Sequence, residues 1–192
     1  MALRRGFKAE ANDIAREVRT ELGLAPTDPL DPWRLAQQLD IPVQTLSSMR
    51  ENAPFAAYHF SQVDSDAFSA VTVFRGRERH IIHNDFHSRG RQASNLAHEL
   101  AHALLHHPPT PALNKVRSRN WDQTVEDEAN LLGGALLVSE EAALMIARKQ
   151  WSIPQAALHY GVSEDMIRFR LNVTGAQKRA SYYRSSKYHR AM

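Results

Sequence analysis

Apolar positions along the chain recur with a helical period in some stretches and a strand-like period in others. Over residues 7–22, Ala11, Ile14, Ala15, Val18 and Leu22 return every three or four places, which predicts an amphipathic helix. Gly23 stops it, and Pro26, Pro29 and Pro32 stiffen the turn region that follows. Asp31 is placed to cap a short helix through Leu39, with Pro32 at the first helical position. Residues 41–46, 67–74 and 79–83 read as strands: the second is rich in Phe, Val and Thr, and the third carries Ile81 and Ile82. Gly76, between the last two, predicts a hairpin.

Helical spacing then dominates. A long helix is predicted over residues 90–106, ended by Pro108 and Pro109, and a polar loop leads to a second over 123–138. Ser139 caps a helix through Arg148, Ser152 opens one that Gly161 stops, and Ser163 caps the last, through Leu171. Helix, then strands, then mostly helices predicts an α+β fold with helices packed on a small antiparallel or mixed sheet. The expected organisation is a main domain over residues 1–150, a helical unit over 151–175 and a basic, solvated tail over 176–192.

Chemistry is concentrated in the long helix, where His98-Glu99-Leu100-Ala101-His102 is a His-Glu-x-x-His sequence. Residues four apart on a helix lie one turn up and about 40° round, so both imidazoles can reach one ion. Glu99 falls about 100° from His98, beside such an ion, where a carboxylate can act as general base on a metal-activated water. Leu96, Leu100 and Leu104 occupy the other side of the helix and face the core. Glu126, 24 residues after His102, is the favoured third ligand. Its rival Glu128 points about 200° away on the same helix. Asn130, four residues after Glu126, shares its face and can hydrogen-bond a ligand histidine. Gly133 and Gly134 each cost about 1 kcal/mol inside a helix, a cost that close approach of two helices would explain.

Together these residues resemble the ImmA/IrrE metallopeptidases, in His98–His102, Glu126-x-x-Ala129-Asn130 and Leu136-Leu137. The likeness continues through Asn84, Arg91-Gln92 and Leu96-Ala97 ahead of the metal helix, and from Gly161-Val162-Ser163 to Arg170-Leu171 behind it. It implies a zinc enzyme of thermolysin-like type, with His98, His102 and Glu126 as ligands and Glu99 as base. It also implies a regulatory peptidase whose protein substrate is a helix-turn-helix repressor encoded nearby. The sequence departs from the family pattern where Ser139 replaces a usual proline and where Leu132 or Gly133 replaces an aromatic residue.

Several other residues carry open readings. Arg91 suits a substrate contact or a structural ion pair, and Tyr160, His159, Arg91 and Arg170 are candidates for oxyanion stabiliser or proton donor. His106 lies about 12 Å from His98 by helix rise, so it and His107 read as a solvated helix end. His80, His83 and His87 read as ordinary strand and loop histidines rather than a second metal site. The strand over 79–83 is a candidate edge for pairing with an extended substrate. Residues 157–167 have helix-turn-helix spacing, but Glu164 and Asp165 would oppose phosphate, which disfavours DNA binding.

Bulk composition adds limits. The chain is 43% hydrophobic and 23% charged, as in ordinary globular proteins, and no apolar run is long enough for a bilayer. There is no cysteine, so a metal must take nitrogen and oxygen ligands. With no signal-like apolar segment at the start, a cytoplasmic address is expected. The net charge is +3, yet Lys178, Arg179, Arg184, Lys187 and Arg190 lie together near the end. The body is therefore close to neutral. The expected activity is zinc endopeptidase; the alternative is a non-proteolytic, metal-containing binding or DNA-associated module.

Overall fold

The computed structural model describes residues 3–76, 78–108 and 123–189, with side chains as far as residue 183. The polar loop expected after Pro108 lies outside them. The first helix, α1 (Phe7–Glu21), buries Ala11, Ala15 and Val18 of the predicted stripe, with Leu22 just beyond it, and Phe7 as well; Ile14 is half-buried. In α2 (Pro32–Gln38) the Asp31 carboxylate accepts from Trp33 N at 3.0 Å. Three strands follow: β1 (Val43–Thr45), β2 (Ala70–Arg75) and β3 (Glu78–His83). Between β1 and β2 the chain forms short helical turns, the longest being α3 (Pro54–Tyr58) and a π-helical turn, His59–Val63.

The sheet is mixed, ordered β1-β3-β2. β1 runs parallel to β3, pairing Val43 with Ile81, and β2 runs antiparallel to it, from Ala70 opposite His83 to Arg75 opposite Glu78. Gly76, at φ 65°, takes the left-handed backbone that the tight reversal requires. This order corrects one expectation: β3 is central and cannot offer an edge to a substrate. The crossover from β1 brings a parallel partner onto its far side, and Ile81 and His83 are both buried. The edges belong to β1 and β2.

Helix α4 (Arg89–Leu104) lies against the sheet, and α5 (Gln123–Leu137) packs along α4. Gly133 permits that approach. A Cβ there would sit 3.1 Å from Ala97 O and 3.2 Å from His98 N, against main chain that cannot rotate aside. Gly134 faces the other way, toward Phe169 and Arg170. The last turn of α5 is held by two fully buried arginines: Arg19 Nη2 donates to Leu136 O at 2.7 Å and Arg170 Nε to Val138 O at 2.8 Å. They satisfy carbonyls that have no partner within the helix and offset the negative end of its dipole.

Ser139 explains one departure from the family pattern. Its hydroxyl accepts from Ala142 N, capping α6 (Glu140–Lys149), and donates to Pro26 O at 2.6 Å, which proline cannot do. Helices α7 (Ile153–Tyr160) and α8 (Glu164–Thr174) carry the predicted serine caps, Ser152 and Ser163, and Gly161 closes α7. Their buried residues Tyr160 and Ile167 share one apolar cluster with Ala93 and Ala97 of α4, so this unit packs onto the helix that bears the histidines. Within the segment expected as a basic tail, residues 176–189 form α9 (Ala176–His189): Ala176 and Ala180, one turn apart, are buried beside α6, while residues 177–179 and 181–183 are exposed. No single helix among the described residues is long and apolar enough to cross a membrane.

Candidate metal centre

One face of α4 presents His98 and His102, whose Nε2 atoms are 3.0 Å apart. The first turn of α5 presents Glu126, with Oε2 3.2 Å from His98 Nε2 and 3.7 Å from His102 Nε2. The three side chains are 17–23% exposed. Among the described residues this is the one group of metal-ligating side chains whose donor atoms converge. Bonds of about 2.0–2.1 Å to a tetrahedral ion place ligand atoms roughly 3.3 Å apart. The observed separations bracket that value, so two nitrogens and one oxygen fit such an ion, with a fourth position left for water or substrate.

Electrostatics agree with a cation-binding role. Hydrogen bonding from His102 and His98 outweighs burial and holds the Glu126 carboxyl down at about 2. Burial works against a charged His98, but Glu126 and Glu99 overcome it and raise the imidazole above its ordinary value. A metal supplies the positive charge that protonated imidazole supplies without it.

The two candidate ligand histidines are held from behind. Asn130 Oδ1 lies 3.0 Å from His98 Nδ1, so Nδ1 carries the proton and Nε2 keeps its lone pair for the ion. His102 Nδ1 lies 2.8 Å from His107 Nδ1. The carboxylate of Glu99 accepts from Thr72 Oγ1 at 2.5 Å, which ties this carboxylate to the edge strand β2.

Residues 36–172, about seven-tenths of the chain, match the family model described as the IrrE N-terminal-like domain of the M78 peptidases. The chain belongs to this peptidase family. No curated protein and no solved structure gives a significant match. The matched span covers β1 through most of α8 and contains every residue of the centre, so membership and geometry point to a metallopeptidase-type function.

Other positions in this M78-family chain sort differently. His106 is exposed as expected, but His107 is not solvated. His106 adopts φ 53°, and its N–H bonds Ala103 O while His107 N–H bonds His102 O. This left-handed closure swings the chain back over the helix end and carries the His107 ring to His102. Arg91 donates to Asp66 Oδ1 at 2.6 Å, an exposed structural ion pair. Of the oxyanion candidates, Tyr160 donates its hydroxyl to Thr27 O, Arg170 is committed to Val138 O, and His159 stacks edge-on against Trp151. His83 packs on Trp33, and His87 Nε2 lies 2.8 Å from Ser65 O. Thr72 went unremarked in the sequence because a β-branched residue in a strand signals nothing beyond strand propensity. His107 carried a weak signal, a further histidine five places after the metal pair.

Proposed function

We propose that the chain is a zinc-dependent endopeptidase acting on a regulatory protein, with a helix-turn-helix repressor encoded nearby as the substrate class. The observation that carries this reading is the convergence of His98, His102 and Glu126 with Glu99 held beside them. Nitrogen and oxygen donors at these spacings suit zinc, which when bound acidifies water and polarises a carbonyl. Glu99 receives the proton that water loses and passes it to the leaving amine, the work of a carboxylate next to the ligands and free of a metal bond. The Thr72 hydroxyl holds that carboxylate at the sheet edge. The outer edge of β2, with Val73 and Phe74 each 38% exposed, offers backbone groups to an extended peptide, which suits cleavage within a chain. The repressor as substrate rests on the family likeness, and the cytoplasm is the setting that such a substrate implies.

The test is Glu99→Gln in the zinc-loaded protein incubated with the neighbouring repressor, with fragments read by mass spectrometry. The variant is expected to retain stoichiometric zinc and lose about 10²–10⁴-fold in cleavage rate. Cleavage at the parental rate would remove Glu99 from the mechanism.

A further inference from the structure

We propose that His107 and Glu128 are positioning residues for the ligand His102, a support held in place by Arg4 from the segment ahead of α1. The inference rests on the reading of His102 as a metal ligand. Its starting point is a constraint on protons. His102 turns Nε2 toward His98 and Glu126, so a neutral ring that offers this atom to an ion carries its proton on Nδ1. The partner of that N–H is His107 Nδ1, at 2.8 Å, which must therefore accept. A neutral His107 that accepts at Nδ1 carries its own proton on Nε2, and this nitrogen faces Glu128 Oε2 at 3.7 Å. The other carboxylate oxygen of Glu128 takes the Arg4 Nε–H at 2.9 Å.

Burial makes the arrangement directional. The side chains of His107 and Glu128 are only 10% and 7% exposed, so neither is a solvated helix end. A carboxylate this buried needs its charge met; the Arg4 guanidinium meets it, while the Nε2 side of the neutral His107 ring turns its positive edge toward it. Negative charge behind His107 strengthens it as an acceptor, which in turn makes His102 a better donor to the ion and fixes its ring plane. The two ligand histidines are thus supported by different chemistry, an amide for His98 and an imidazole backed by a carboxylate for His102.

Zinc affinity, measured by competition with a chromophoric chelator, tests the proposal alongside the melting temperature of the metal-free protein. His107→Leu keeps apolar bulk and removes the acceptor, and it is expected to weaken zinc binding by about 10–100-fold. His107→Asn places an oxygen near the lost Nδ1 and is expected to recover most of the affinity. Glu128→Gln is expected to fall between them, and carries the test if His107→Leu does not fold. In the zinc-loaded parent, long-range nitrogen-15 spectra should show His107 protonated on Nε2. Equal losses in His107→Leu and His107→Asn, wild-type affinity in His107→Leu, or a proton on His107 Nδ1 would each overturn the proposal. A parent that binds no zinc, or Glu126→Ala binding it as tightly as the parent, would sink the metal site itself; the other results leave that site standing.

Discussion

Gly133 is where packing and the metal centre meet most directly, and a single methyl group there makes a sharp test. Gly133 follows Glu126 by seven residues, two turns along the same face of α5, and abuts the backbone at Ala97 and His98. In Gly133→Ala the new Cβ would lie 3.1 Å from Ala97 O and 3.2 Å from both Ala97 C and His98 N. These are a few tenths of an ångström inside comfortable contact, and the neighbours are helix backbone, so the relief must come from α5 moving off α4. Replacing glycine by alanine within a helix gains about 1 kcal/mol, while overpacking a tight core costs about 1–3 kcal/mol. The expected balance is a loss of up to about 2 kcal/mol, or a melting temperature lower by a few degrees. The displacement also draws Glu126 away from the two imidazoles, so zinc affinity should fall by more than the melting shift suggests. Gly133→Leu should not give a folded, zinc-binding protein. The assays are thermal denaturation of the metal-free chain and chelator competition on the same samples. If Gly133→Ala is more stable than the parent by the full propensity gain, with zinc affinity unchanged, the helices are not held as tightly as inferred.

Two further outcomes follow from single contacts. Ser139→Ala removes both the α6 cap and the hydrogen bond to Pro26 O, and should cost about 1–2 kcal/mol in chemical denaturation without altering zinc affinity. An unchanged denaturation midpoint would show those bonds to be replaceable by water. The metal-free protein should also have a stability window set by Glu126 and His98. Glu126 is depressed from 4.5 to about 2, so its contribution is present above pH 4.5 and is lost as pH falls toward 2; it is worth at most about 3 kcal/mol. His98 is raised above 6.5, so its contribution is full below pH 6.5 and is lost as pH climbs through the raised value. Melting temperatures of chelator-treated protein should therefore be best supported between pH 4.5 and 6.5, and both limbs should flatten in Glu126→Gln. Limbs that persist unchanged in that variant would assign the dependence to other groups.

Much of this protein was determined locally and could be read from the chain alone. The period of the apolar residues placed α1 and α4, the serine and aspartate caps placed the starts of α2, α6, α7 and α8, and Gly161 placed the end of α7, because each is a bargain between a side chain and its own nearby backbone. The spacing His98–His102 put two imidazoles on one face for the same reason, and a four-residue interval on α5 put Asn130 within reach of one of these histidines, which the structure shows to be His98. What involves two distant segments was settled only in three dimensions. Strand order depends on which partner reaches β3 from outside the hairpin, so the edge beside Glu99 proved to be β2. The fate of the last helix turned on whether Ala176 and Ala180 found a surface to bury against. His107 looked solvated because helical extrapolation carries it past the end of α4; the left-handed turn at His106 ends that extrapolation and folds it back onto His102. Local preference chooses the elements and their faces, whereas packing chooses which faces meet, and this metal centre is assembled from both.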